Sequence, residues 1–207
     1  MSDLTFYTNP QSRGRIVRWM LEEVGATYDT KIVSYGPEMK GPDYLAINPM
    51  GKVPTIQHGD TVVTECAAIC AYLADAFPAA GLAPALDKRG EYYRWLFFAA
   101  GPIEAAVTDK TLQAVPTPEQ RGFVGYGCFE NVMANLEQHL AKNRYFCGDT
   151  FTAADIYAGS QIAFGLMFKT FEARPAFTDY VARIHDRPAF KRASELDDAA
   201  MAAAAAG

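Results

Sequence analysis

The stretch Asn48–Ile69, NPMGKVPTIQHGDTVVTECAAI, decides the fold class. Val53 to Gln57 and Thr61 to Val63 are β-rich runs, and His58-Gly59-Asp60 between them supplies turn chemistry, so the spacing predicts a hairpin. From Glu65 the period changes: Ile69, Tyr72, Leu73 and Ala76 recur at helical spacing, which predicts a helix to about Phe77. Working outward, Leu4 to Tyr7 reads as a strand and Tyr28 to Val33 as a second one. Between them Ile16, Val17, Met20, Leu21 and Val24 mark one face of a helix that Ser12 is placed to cap and Gly25 to end. The order is βαβ followed by ββα. It predicts a mixed four-stranded sheet with helices packed on it, because a crossover helix links parallel strands and a tight turn links antiparallel ones.

Beyond Pro78-Ala-Ala-Gly81-Leu-Ala-Pro84 the strand-type runs stop and helical patterns take over, such as Tyr93, Phe97 and Ala100. The expected organisation is an α/β domain over residues 1–78, a linker over 79–87, and an all-α bundle of about five helices over 88–207. A length of 207 residues suits two small domains. With 50% apolar and 21% charged residues, disorder is excluded. The net charge of −5 is negative in both halves, which excludes a nucleic-acid backbone or an anionic membrane surface as main partner. The first twenty residues carry Asp3, Arg13, Arg15 and Arg18, and no uncharged apolar run approaches the ~20 residues that span a bilayer, so a soluble cytoplasmic protein is expected. Cys66, Cys70, Cys128 and Cys147 form no Cys-x-x-Cys pair and the three histidines are isolated, so neither a metal site nor a disulfide framework is expected.

Three places carry candidate chemistry. Ser12 stands where the first helix begins, among unpaired amides and the positive end of the helix dipole, with Arg13 and Arg15 beside it. That setting suits a hydroxyl that hydrogen-bonds a bound anion; no His or Asp is placed to make Ser12 a nucleophile. Val53-Pro54 lacks an N–H for its strand; a cis bond there would turn the preceding backbone outward, toward an extended ligand. Glu65 and Cys66 open the third helix, where an acidic side chain and helical amides suit the two ends of a small zwitterion, and Lys52 suits a second carboxylate. Each also has a plain structural reading: a cap, an edge proline, a dipole-complementing acid, a solvated lysine. The Phe151-Thr152-Ala153-Ala154-Asp155-Ile156 run is a helix start with a capping box and belongs to folding of the helical core.

In order and spacing, four segments together resemble the glutathione S-transferase family: Phe6 to Arg15, Asn48 to Pro54, Thr64 to Ile69, and Phe151 to Asp155. The resemblance spans residues 3 to about 195. It implies a thioredoxin-like N-terminal domain, an α-helical C-terminal domain, a homodimer, and a bacterial, serine-type enzyme that uses glutathione as co-substrate and needs no cofactor. Carried over by residue, it implies that Val53 pairs its backbone with the cysteinyl part of glutathione beside a cis Pro54. Glu65 and Cys66 would take the γ-glutamyl end, and Lys52 the glycyl carboxylate. Ser12 is the implied donor to the sulfur, with Tyr7 second and Arg13 an electrostatic helper. Tyr93, Phe97 and Phe164 are the implied contacts of an apolar electrophile. The family usually has Ser where this chain has Cys66; a thiol is the weaker donor, which predicts weaker glutathione binding. Other glutathione chemistry on the same fold, or a non-catalytic binding module, stays open at this point.

Overall fold

The computed structural model describes residues 3–206. The chain forms two compact units, the first running through Leu82 and rejoined from Asp186, the second comprising Ala83–His185. In the first unit, β1 (Leu4–Thr8), β2 (Asp29–Ile32), β3 (Thr55–His58) and β4 (Thr61–Thr64) make one sheet in the order β2-β1-β3-β4. β1 and β2 are parallel; β1–β3 and β3–β4 are antiparallel, with Tyr7 opposite Thr55 and Thr55 opposite Thr64. The helices are α1 (Gly14–Val24), the short α2 (Pro42–Leu45) and α3 (Cys66–Ala76). This is the mixed four-stranded sheet that the alternation of periods predicts, in the thioredoxin-like arrangement that the resemblance implies.

Side chains alternate across β1, so its neighbours divide the core in two. Phe6 is fully buried on the α1 side, where the Arg18 guanidinium lies 5.2 Å from its ring centre. Tyr7 points the other way, into a cluster with Val33, Met39 and Tyr44 against which Ile47 and Val53 pack. The apolar stripe of α1, Ile16, Val17, Met20 and Leu21, is fully buried, and Gly25 ends the helix at φ 66°. On α3, Ile69, Cys70, Leu73 and Ala74 are the buried residues. Ala76, expected on that face, is exposed because it stands in the last turn.

The second unit is helical: α4 (Gly90–Phe98), α5 (Glu104–Thr111), α6 (Phe129–Leu140), α7 (Ala153–Met167) and α8 (Pro175–His185). A π-helical segment containing Pro102, Ala99–Ile103, joins α4 to α5. α7 is buried on all sides from Ala153 to Ile162, which makes it the central helix. Its start has the expected form. The Asp155 carboxylate accepts hydrogen bonds from the Thr152 N–H (2.9 Å), the Thr152 hydroxyl (3.2 Å), the Phe146 N–H (2.9 Å) and the Tyr180 hydroxyl (2.8 Å). Phe151 is buried beside it.

The last helix, α9 (Pro188–Ala206), groups with the first unit, whereas the sequence places residues 88–207 in one helical domain. The reason is a ladder of charges along α1. Arg192 meets Glu22 (2.7 Å), Arg187 meets Glu23 (2.6 Å), Asp197 meets Arg18 (2.7 Å) and Asp198 meets Arg15 (2.9 Å), so α9 runs antiparallel to α1. Phe190 stands edge-on to Trp19 at 5.1 Å. Residues 1, 2 and 207, inside the expected domain limits, lie outside the described residues. Among the described residues no helix is long and apolar enough to cross a membrane.

Candidate functional site

The strand register brings three turns to one end of the sheet. Thr8 and Asn9 follow Tyr7, Val53 and Pro54 precede Thr55, and Glu65 follows Thr64, while Tyr7, Thr55 and Thr64 are neighbours across the ladder. A direct contact closes the group: the Cys66 thiol, at the start of α3, donates to the carbonyl of Arg13 at the start of α1 (3.6 Å). Ser12, Arg13, Lys52, Val53, Pro54, Glu65 and Cys66 therefore belong to one region of one unit. Tyr7 meets this group through Val53, which packs against the cluster that holds it. Its parity on β1 turns it to the sheet face opposite Phe6, where it is 6% exposed and its hydroxyl donates to Gln57 Oε1 at 3.4 Å.

Ser12 sits in the turn just before α1, half-buried. Its hydroxyl donates to the Asn9 carbonyl at 2.6 Å and accepts from the Gly14 N–H at 2.9 Å. Asn9 builds this turn: its side chain accepts from the Gln11 N–H (3.0 Å) and donates to the Val33 carbonyl (3.1 Å), tying the loop to the strand beside it. Gly14 lets the helix start approach β1, since a Cβ there would overlap Thr8 Oγ1 and stand 3.0 Å from Ser12 Oγ. Arg13 and Gln11 are exposed on the same turn.

The Val53-Pro54 bond is cis. The backbone before it is held by side chains that sequence reading passes over. Asn48 Nδ2 donates to the Lys52 carbonyl (2.7 Å) and to Thr55 Oγ1 (3.2 Å), and Asn48 Oδ1 accepts from the Met50 N–H (3.0 Å). The Tyr44 hydroxyl also reaches the Lys52 carbonyl (2.7 Å) and Thr55 Oγ1 (3.0 Å); burial pushes its pKa up, so it stays protonated. Lys40 Nζ donates to the carbonyls of Met50 (3.0 Å) and Gly51 (2.7 Å). With its backbone fixed in this way, Lys52 keeps its own side chain exposed, and no acidic side chain among the described residues pairs with it.

Glu65 is the N-cap of α3, exposed, at φ 67° and ψ 121°. This is a left-handed backbone that a residue with a Cβ adopts at a cost of about 1–3 kcal/mol, of the kind that gathers at functional sites. Cys66 is 9% exposed and Cys70, one turn on, is fully buried; desolvation, with Cys66 as a second cause, holds the Cys70 thiol well above its ordinary pKa, so it is inert. The aromatic residues proposed for an electrophile lie in the second unit. Tyr93 (42% exposed) and Phe97 (72%) stand one turn apart on α4, and Phe164 is half-buried on α7, its ring 6.3 Å from that of Phe168.

What this arrangement offers is an anion position at a helix start, flanked by a backbone edge, an acid and a lysine. Comparison with known proteins gives it a family. The N-terminal domain model of glutathione S-transferase matches residues 12–76, and the C-terminal domain model matches residues 104–183. The chain is 30% identical over 166 residues to glutathione S-transferase 3 of Zea mays, covering 75% of each. Among solved structures it is similar to the theta class glutathione S-transferase of Xanthomonas axonopodis pv. citri with glutathione bound (27% identity, TM-score 0.75, 94% of this chain and 98% of that one). It is equally similar to a sphingomonad glutathione S-transferase complexed with glutathione, with the same identity, score and coverage. From sheet topology to helical unit, and by both domain matches, the chain belongs to the glutathione S-transferase family.

Proposed function

We propose that this protein is a glutathione transferase with a serine-type site of the bacterial kind, acting in the cytoplasm as a homodimer. In this reading the tripeptide lies across the end of the sheet. Val53 pairs its backbone with the cysteinyl unit beside Pro54, Glu65 and Cys66 hold the γ-glutamyl end, and Lys52 meets the glycyl carboxylate. Ser12, assisted by Arg13 and the first amides of α1, holds the sulfur as a thiolate. The thiolate attacks an electrophilic carbon of an apolar co-substrate, to which the helical unit offers Tyr93, Phe97 and Phe164. Tyr7 takes no part, its hydroxyl staying with Gln57.

The energetics favour the anion for a specific reason. A free thiol titrates near ~8.5, so only a few per cent is the nucleophilic thiolate at neutral pH. The Ser12 hydroxyl is already satisfied by a neutral carbonyl at 2.6 Å. Turning it toward a neutral thiol gains nothing, whereas turning it toward a thiolate exchanges a neutral hydrogen bond for a charge-assisted one of roughly twice the strength. Together with the helix dipole and Arg13, a differential of about 2.7 kcal/mol lowers the thiol pKa by about two units, which makes thiolate the main form at pH 7.

The observation that carries the reading is the meeting of the α1 start, Lys52–Pro54 and Glu65–Cys66 at one end of the sheet, closed by the Cys66 contact to Arg13. Titration calorimetry with glutathione tests binding, and the ultraviolet thiolate band of bound glutathione tests the role of Ser12. Saturable binding and a weakened band in Ser12→Ala are expected. No heat at millimolar ligand removes the assignment; an unchanged band in Ser12→Ala removes Ser12.

A further inference from the structure

Residues 112–128, between α5 and α6, form a segment tied by its own turns. The Ala114 N–H donates to the Asp109 carbonyl (2.8 Å), the Gln120 N–H to Thr117 (2.9 Å) and the Phe123 N–H to Gln120 (2.9 Å). The Gln120 side chain accepts from the Thr117 N–H (2.9 Å). With the end of α5 this segment encloses a cleft of about 510 Å³, a size that suits a small ligand. Its apolar walls are Ala114, Pro116, Phe123 and Val124, and its polar lining is Asp109 and Gln120. The cleft lies wholly within the helical unit and uses none of the residues assigned above to glutathione or to the electrophile.

The charge in this cleft is unbalanced. The Asp109 carboxylate accepts one hydrogen bond, from the Tyr126 hydroxyl at 2.6 Å. Desolvation, with Asp109 as the next cause, raises the Tyr126 pKa, so the phenol keeps its proton and orients the carboxylate without neutralising it. The nearby cations are committed elsewhere. Lys110 Nζ donates to the Thr170 carbonyl (2.9 Å) and stands 3.8 Å from the Phe129 ring centre, and Arg121 acts on the carboxylates of Glu119 and Glu130. Among the described residues no basic side chain pairs with Asp109. On the opposite wall the Phe123 ring is 91% exposed, open to a cation or to an apolar body.

We propose that this cleft binds an apolar primary ammonium ion of the arylalkylamine class. The ammonium pairs with the Asp109 carboxylate, a charge-assisted contact, and the apolar body covers Phe123 and its neighbours. An anionic ligand would meet the same carboxylate as a like charge.

The test is titration calorimetry with 2-phenylethylammonium on the full chain, beside urea denaturation of each variant. Saturable binding at millimolar probe is expected, weakening as salt is raised. Asp109→Asn removes the charge but keeps an acceptor for the Tyr126 hydroxyl, and it is expected to weaken the probe about fivefold to tenfold. Phe123→Ala, at an exposed ring, is expected to weaken it about threefold. The neutral 2-phenylethanol should bind the parent about fivefold to tenfold more weakly than the ammonium and should not distinguish Asp109→Asn from the parent. Should Asp109→Asn not fold, Phe123→Ala and the comparison of alcohol with ammonium on the parent decide. No saturation, parental affinity in Asp109→Asn and Phe123→Ala, or equal binding of the alcohol and the ammonium overturns the proposal.

Discussion

Replacing Asn48 by alanine isolates the contribution of the loop that presents Lys52 and Val53. Asn48 is 3% exposed and makes three hydrogen bonds, to the Lys52 carbonyl, to Thr55 Oγ1 and from the Met50 N–H. The Lys52 carbonyl and Thr55 Oγ1 keep the Tyr44 hydroxyl as a partner. The Met50 N–H loses its side-chain acceptor but lies at the surface, on an exposed residue. The loss is therefore smaller than three full bonds, about 1–3 kcal/mol of stability. The larger effect falls on binding. Ordering the backbone of one residue costs about 1–2 kcal/mol, and a ligand that pairs with Val53 must supply it for the loosened segment. Asn48→Ala is thus expected to weaken glutathione about tenfold, which is 1.4 kcal/mol. Asn48→Asp, which keeps an acceptor for Met50 and loses the donor to Lys52, should do the same. Urea denaturation measures the first quantity and calorimetry the second. A destabilised Asn48→Ala whose affinity stays within twofold of the parent would refute the claim that loop order underlies the site.

Cys66→Ser exchanges a weak donor for a strong one at the start of α3 and is expected to tighten glutathione binding up to about tenfold in calorimetry. Gly14→Ala forces a Cβ onto Thr8 Oγ1 and toward Ser12 Oγ, so the thiolate band should weaken together with a loss of stability of about 1–3 kcal/mol. Burial pushes His185 down to about 4, whereas the unfolded ring titrates near ~6.5. Between these values the unfolded chain binds the extra proton, so this ring costs stability as pH falls from 6.5 toward 4. The slope is at most about 1.4 kcal/mol per pH unit, less to the extent that water reaches the ring, and His185→Gln should flatten it in denaturation curves. Burial pushes Asp155 up to about 6, which gives the opposite slope over roughly the same window, so Asp155→Asn should steepen the acid loss.

The sheet was legible because its strands are short runs bounded by turn chemistry, and α1 because five apolar residues share one face and Gly25 stops it. The Ser12, Lys52–Pro54 and Glu65–Cys66 positions were legible as helix starts and a strand proline, which are local features. The side chains that hold them were not. Asn9 and Asn48 each accept from the N–H two residues on, which an Asn-Pro turn makes legible, but their donor bonds to backbone carbonyls 24 and 4 residues away are tertiary contacts that it does not. Tyr7 is instructive in the other direction. The resemblance gives it a role second to Ser12; alternation with Phe6 places it in the cluster against which Val53 packs. The placement of α9 escaped because its partners on α1 are charges more than 160 residues distant, visible only as pairs. Pro102, on which the sequence reading is silent, is accommodated in the π-helical segment that joins α4 to α5.

The clasp of α9 on α1 makes the thioredoxin-like unit discontinuous in sequence, with the helical unit inserted between its two parts. On the ribosome, Arg15, Arg18, Glu22 and Glu23 wait for residues 187–198 while the intervening helices emerge and fold. The outer face of α1, made before the helical unit, is thus completed after it, and a nascent chain halted before Arg187 would leave Arg15, Arg18, Glu22 and Glu23 without their α9-side partners.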